Sequence, residues 1–196
     1  MSHGLRIAVV IVLQSVALLG MIGMKQYTLS TGVPVVLKTQ PIDPRSLFRG
    51  DYVRLNYAIS RLVLDQIGGD KEFQRGDAVY VVLKPGDEYW EPVSAHRGYP
   101  VAAAGQVVIK GKVQYSSHQR WQDPGPAPTP PPPSARSINV KYGVENYFVP
   151  EGEGRELERP KPGEIMSIRV VVDKYGNPAI KAVLVNGVER YVERLF

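Results

Sequence analysis

Cysteine is absent from the 196 residues, which removes disulfide staples, thiol nucleophiles and thiolate metal sites. Histidine is scarce: His3, His96 and His118 stand far apart, and no His, Asp or Glu spacing resembles a zinc or two-metal centre. Neither a metal nor a cofactor is expected. Basic residues number 24 against 19 acidic ones, for a net charge of +5, but the two signs interleave and no Lys/Arg block marks a nucleic-acid footprint. Nucleic acid is therefore not an expected partner, whereas a mild attraction to anionic lipid headgroups is. A single long apolar run sits at the amino terminus, and about 170 residues of ordinary composition follow it. That length can bury roughly two-thirds of its unfolded surface without a metal or disulfide.

The apolar run, Leu5 to Met24, is twenty residues long, with Arg6 its one charge and Gln14 and Ser15 its clearly polar members. As a helix it covers about 30 Å of hydrocarbon. A cleaved secretory signal has a shorter apolar region and ends at a small-x-small site. The exit Leu19-Gly20-Met21-Ile22-Gly23-Met24-Lys25 offers no such pair, so a retained single-pass anchor is the reading. Arg6 and the amino terminus oppose Lys25 and Lys38, which weakly favours residues 1–4 as a cytoplasmic tail and 25–196 as a non-cytoplasmic domain. Gln14 offers an amide to a neighbouring helix, but no Gly-x-x-x-Gly spacing supports self-pairing.

Beyond the anchor, short strands alternate with turn chemistry. Val33 to Thr39 ends at a two-proline break, Pro41 to Pro44. Asp51 to Ile59 reads as one strand, with Val53, Leu55, Tyr57 and Ile59 on one face and Tyr52, Arg54 and Asn56 on the other. A short helix is expected over Arg61 to Gln66. Ala78 to Leu83 and Tyr89 to Val93 flank Pro85-Gly86-Asp87 as a hairpin. Gln106 to Tyr115 alternates, with Val107, Ile109, Val113 and Tyr115 expected inward. Residues 123–135 are too rich in proline to donate to a ladder and are read as a polyproline-like surface loop inserted in one domain. Glu164 to Asp173, Pro178 to Val185 and Val188 to Leu195 are joined by Lys174-Tyr175-Gly176-Asn177 and by Asn186-Gly187, the strongest two-residue hairpin signal. About nine strands then imply a mainly β fold, an antiparallel sandwich or partly open barrel preceded by one N-terminal transmembrane helix. Arg49-Gly50-Asp51 and Arg75-Gly76-Asp77 are read as recurring turns in which the aspartate caps its own backbone.

The run Gly50-Asp51-Tyr52-Val53-Arg54-Leu55-Asn56-Tyr57 matches every fixed position of G-D-Y-x-x-L-x-Y. Its lead-in Asp43-Pro44-Arg45-Ser46-Leu47-Phe48-Arg49, the block from Tyr142 to Gly152 and the Asp173-Lys174-Tyr175-Gly176 turn add to the match. On these residues the chain resembles the bacterial GDYXXLXY family of membrane proteins. The resemblance implies an envelope protein with no assigned reaction that accompanies a multi-pass membrane protein, placed in the inner membrane with its bulk periplasmic or extracytoplasmic. Its site residues would be Gly50, Asp51, Tyr52, Arg54, Leu55 and Tyr57, with Tyr142, Gly143, Glu145, Tyr147, Phe148, Pro150, Glu151 and Gly152 as a second block. Two roles are open to the first block. Gly50 and Asp51 could form a turn over a core filled by Leu55 and Tyr57, or Tyr52, Arg54 and Asn56 could present a partner-binding face.

Catalytic candidates are thin. The acidic stretch Glu151 to Glu158 lacks the Asp/Asn ladder of a calcium loop and is read as solvated. A serine-lysine hydrolase resembling leader peptidases would need a serine soon after the helix and a buried lysine base. Ser30 or Ser46 with Lys84 or Lys110 are the candidates, but Lys110 falls on the polar face of its strand. The expected function is thus a noncatalytic, membrane-anchored accessory or binding domain, with no catalytic residue assigned; no small-molecule ligand is legible.

Overall fold

The computed structural model describes residues 3–40, 52–119, 135–148 and 164–192, of which 52–54, 117–119, 135 and 148 as backbone only. A single helix, α1 (His3–Thr31), leads into the β region. Its uncharged core is the eighteen residues from Ile7 to Met24, about 27 Å at helical rise, so Arg6 marks one end of the apolar stretch and Lys25 the other. The helix has a mean hydropathy of 2.4 over its most apolar window, and none of that window is buried against the protein. It is long and apolar enough to cross a membrane. It also runs seven residues, about two turns, past the expected exit at Met24 and stops before Gly32, whose N–H donates to the Thr28 carbonyl at 2.9 Å. A Cβ on Gly32 would stand 2.6 Å from the Thr28 oxygen and 3.0 Å from the Val171 side chain, so the tight exit needs glycine.

Three antiparallel sheets follow, apart from one short parallel pair. The first contains β1 (Val33–Gln40), β3 (Asn56–Tyr57), β11 (Met166–Val172), β12 (Pro178–Val185) and β13 (Val188–Val192), in the order β13-β12-β11-β1-β3. The second pairs β2 (Tyr52–Arg54) with β10 (Asn146–Phe148). The third contains β4 (Arg61–Val63), β5 (Gly68–Gly69), β6 (Ala78–Pro85), β7 (Trp90–His96), β8 (Val107–Gln119) and β9 (Ala135–Lys141), in the order β4-β9-β8-β6-β7-β5. One of the sheets curls into a half-barrel, so the mainly β, partly open expectation holds. The core between the sheets is continuous, with Val35, Tyr57, Val79, Val81, Leu83, Ile109, Ile168 and Val170 fully buried. The Asn186-Gly187 turn takes φ of 51° and 77°, the left-handed pair that two-residue hairpins require.

Four expectations are corrected. The single strand from Asp51 to Ile59 is two strands with different partners: β2 pairs with β10, β3 with β1, and the chain changes sheets at Leu55. Leu55, Tyr57 and Ile59 are nevertheless all buried, because the alternation survives the change of partner and the 3-10 turn Ala58–Ser60. The helix expected over 61–66 is instead β4 followed by a 3-10 turn, Leu64–Gln66; Leu62 packs into the core and β4 borders β9. Tyr115 is 57% exposed, not inward, because a bulge between Val113 and Tyr115 shifts the register against β9 by one residue and reverses the face. The described residues hold thirteen short strands, not nine. The proline-rich residues 120–134 lie outside the described residues, but Gln119 of β8 faces Ala135 of β9 on either side of them.

Candidate functional site

The two sequence blocks, more than eighty residues apart, form one seam. Tyr147 of β10 pairs with Val53 of β2, and the Leu55 N–H continues the ladder to the Glu145 carbonyl at 2.7 Å. Next along, Tyr57 is fully buried and its hydroxyl donates to the Val144 carbonyl at 2.5 Å. In return Tyr142, also buried, donates its hydroxyl to the Ile59 carbonyl at 2.8 Å. Tyr57 therefore reaches through the core to the second block's backbone, and Tyr142 to the 3-10 turn that directly follows the first block. A tyrosine suits this place because its ring supplies core volume while its hydroxyl bonds a buried carbonyl outside the strands. Among the described residues, no buried side-chain nitrogen or oxygen lacks a partner.

Glu145 sets the turn between them. Its carboxylate accepts the N–H groups of Tyr142 at 2.5 Å and Gly143 at 2.9 Å. Gly143, at φ +87°, supplies the left-handed residue that bends both N–H groups inward. Burial, and then the Glu145 charge, push the Tyr57 and Tyr142 hydroxyls well above their ordinary value. Both are thus neutral donors, suited to holding carbonyls and poorly suited to acid–base turnover near neutrality.

The family model for GDYXXLXY protein matches residues 14–183. This chain belongs to the GDYXXLXY family. No curated protein and no solved structure matches it. Of the GDYXXLXY motif, Leu55 and Tyr57 fill the core, and Tyr52 and Arg54 lie in β2, where only backbone is described. Gly50 and Asp51 lie outside the described residues, as do Pro150, Glu151 and Gly152. Asn56 is half-buried and faces Gln40 in β1. Of the second block, Glu145 and Tyr147 meet Leu55 and Val53 of the first, Tyr142 reaches Ile59 two residues beyond it, Gly143 bonds within its own block to Glu145, and Phe148 pairs through backbone with Tyr52.

A second junction joins the Asp173 turn, which the sequence marks, to Thr28 and Leu29, which it does not. The turn after β11 docks the base of α1: the Thr28 hydroxyl donates to Asp173 Oδ2 at 2.9 Å. Asp173 also accepts the N–H groups of Tyr175 and Asn177, both at 2.9 Å, and the Asn177 side-chain amide at 3.1 Å. Burial alone would push Asp173 up, but the donors from Asn177, Thr28 and Tyr175 outweigh it and hold the carboxyl below its ordinary value. Thr28 has one proton to give, and the Met24 carbonyl is 3.2 Å away; the nearer, charged acceptor is favoured. Leu29 packs on Val171 and Ala179 beside this bond. The turn reaches the third sheet as well, its Gly176 carbonyl accepting the Lys110 N–H at 2.8 Å. Asp-x-x-Gly-Asn is a turn signal; that its carboxylate accepts the hydroxyl of a helical threonine 145 residues away is set by tertiary packing.

The hydrolase alternative finds no support. Ser30 is exposed and donates to the Tyr27 carbonyl of its own helix. Lys84 is exposed and pairs with Glu91 at 3.8 Å, and Lys110 is exposed with its ammonium 5.9 Å from the Tyr80 ring centroid. Ser46 and the acidic stretch 151–158 lie outside the described residues. Among the described residues no lysine is buried, and no three His, Asp or Glu side chains gather. His96 shares a 2.9 Å hydrogen bond with Ser94. The Arg75-Gly76-Asp77 turn is capped as its composition suggests, the Gln74 N–H donating to Asp77 Oδ2 at 2.9 Å.

Proposed function

We propose that this GDYXXLXY protein is a noncatalytic, membrane-anchored accessory or binding domain of the bacterial envelope, held by α1 in the inner membrane with its β domain outside the cytoplasm. The observation that carries the reading is the junction between α1 and the β11–β12 turn. A flexible tether needs no buried carboxylate; here Thr28, Leu29 and Gly32 fix the helix to the sheets, so a force or binding event at either part is felt at the other. Such a rigid mount suits a subunit that must hold one orientation beside a multi-pass membrane partner. The motif's most buried residues are spent on the core seam, which leaves partner recognition to the exposed surfaces.

Co-purification of the full chain from gently solubilised membranes, followed by mass spectrometry, tests the accessory role. A stoichiometric multi-pass protein should be retained with the native helix and lost when residues 5–24 are replaced by an unrelated membrane span. Recovery of the full chain alone at full yield would remove the accessory role.

A further inference from the structure

The base of α1, the β11–β12 turn and the loop after β7 meet on one side of the molecule. Between helix and turn is an open slot of about 530 Å³, with Gly20, Gly23 and Met24 along its apolar side and Lys25, Tyr27 and Tyr175 at its polar rim. Tyr27, Tyr99 and Tyr175 are 41%, 51% and 59% exposed. Lys174 joins them: its ammonium lies 5.0 Å from the Tyr175 ring centroid and within reach of the Tyr27 hydroxyl, and the Tyr99 hydroxyl donates to its carbonyl at 2.8 Å. Tyr99 also packs edge-on against Tyr80 at 5.4 Å, and two residues beyond it Val101 is wholly exposed. The acid in the lining, Asp173, is buried and turned toward Thr28, Tyr175 and Asn177. The lining therefore shows Lys25 and no exposed carboxylate, and Lys174 stands just outside it, beside the lining residues Tyr27 and Tyr175.

Polarity changes along the slot in one direction. Its apolar side belongs to the uncharged run of α1, and its rim begins at Lys25, the first charge after that run. Tyrosines with a wet hydroxyl and lysines with apolar stems are the residues that settle where hydrocarbon meets headgroups. Thr28 is four residues past Met24, about 6 Å along the helix, and its bond to Asp173 keeps the tyrosine band at that height. We propose that this face lies in the headgroup layer of the leaflet that α1 exits, and that the slot seats an anionic phospholipid. An acyl chain lies along Gly20 and Gly23, where the lack of side chains leaves open space, and the phosphate is met by Lys25 and Lys174. The inference rests on α1 being a membrane span.

The absence of cysteine allows single spin labels on the full chain, placed at Leu13→Cys, Val101→Cys and Val188→Cys. The last is exposed beside the β12–β13 turn, opposite Val185 at the end of β12 away from Pro178, seven residues or roughly 24 Å distant at strand rise. Depth is read from oxygen and nickel-chelate accessibility in dilute vesicles of phosphatidylcholine with or without phosphatidylglycerol. The expected result is Leu13 deep in hydrocarbon, Val188 in water, and Val101 losing nickel accessibility when phosphatidylglycerol is present. Lys25→Gln with Lys174→Gln should abolish that loss, and Lys25→Arg with Lys174→Arg should keep it. Leu13 deep with Val101 as nickel-accessible as Val188 in both lipids overturns the headgroup seat and leaves the span intact. Leu13 in water overturns the span, and the seat with it. Dipolar broadening between Val101 labels of different molecules would assign the face to a second copy and overturn the lipid occupant.

Discussion

Two seams hold this chain together, and they differ in what surrounds them. The motif seam, where the Tyr57 and Tyr142 hydroxyls bond carbonyls across it, is in the core and fills volume between sheets. The helix seam, where Thr28 meets Asp173, is at the edge of the β region and fills little. The first is a stability device whose loss opens the domain. The second is an orientation device, whose loss should free the helix from an otherwise intact fold.

The contrast is broken if changes in the motif seam leave the domain standing. Leu55→Ala removes a buried side chain at the point where β2 gives way to β3, and a loss of about 2–5 kcal/mol is expected in urea denaturation of the full chain in detergent. Tyr57→Phe keeps the ring but leaves the Val144 carbonyl without its donor, for a loss of about 1–3 kcal/mol. Both tyrosine hydroxyls are raised above their ordinary value in the folded state. Their contribution is therefore complete below about pH 10, the unfolded value, and declines as pH rises beyond it. Stability measured from pH 8 to 11 should fall at the alkaline end, and Tyr57→Phe with Tyr142→Phe should flatten that fall.

The helix seam sharpens the contrast with smaller effects. Asp173→Asn replaces a carboxylate that serves four donor groups, and about 1–2 kcal/mol should be lost. Because the folded Asp173 is held below its ordinary value, its contribution is full above the unfolded carboxylate range, begins to fall within that range and is lost only as pH drops through the lower folded value. The native chain should begin to loosen as pH falls below about 5, and Asp173→Asn should make that acid loss smaller. Thr28→Val, the mildest change, should weaken the docking of α1 on the Asp173 turn by about 0.5–1.5 kcal/mol. It should broaden the distance distribution between spin labels on α1 and β12 while the urea midpoint of the sheets stays close to native.

Much of this was legible in residue order, and the exceptions have physical causes. Val107, Ile109 and Val113 announced a strand because one face is wet, but a bulge carries no local signature and so Tyr115 was placed on the wrong face. Leu55, Tyr57 and Ile59 were read as core from their spacing; that they leave one sheet for another depends on β10 and β1, far away in the chain. Arg61 to Gln66 misled because a buried edge strand followed by a 3-10 turn shares its apolar spacing with a helical turn. The two family blocks were each recognised, whereas their exchange of tyrosine bonds was not, since a hydroxyl's acceptor is set by tertiary distance alone. Asp173 was read as part of a turn, and its second role toward Thr28 is a matter of packing that no local pattern encodes.

Anchoring by α1 is the claim on which orientation, partner and lipid seat all depend. Alkaline carbonate extraction of cell membranes tests it directly, comparing the full chain with a version lacking residues 1–24. The full chain should stay with the lipid pellet and the shortened one should not. Release of the full chain into the soluble fraction would contradict the membrane reading.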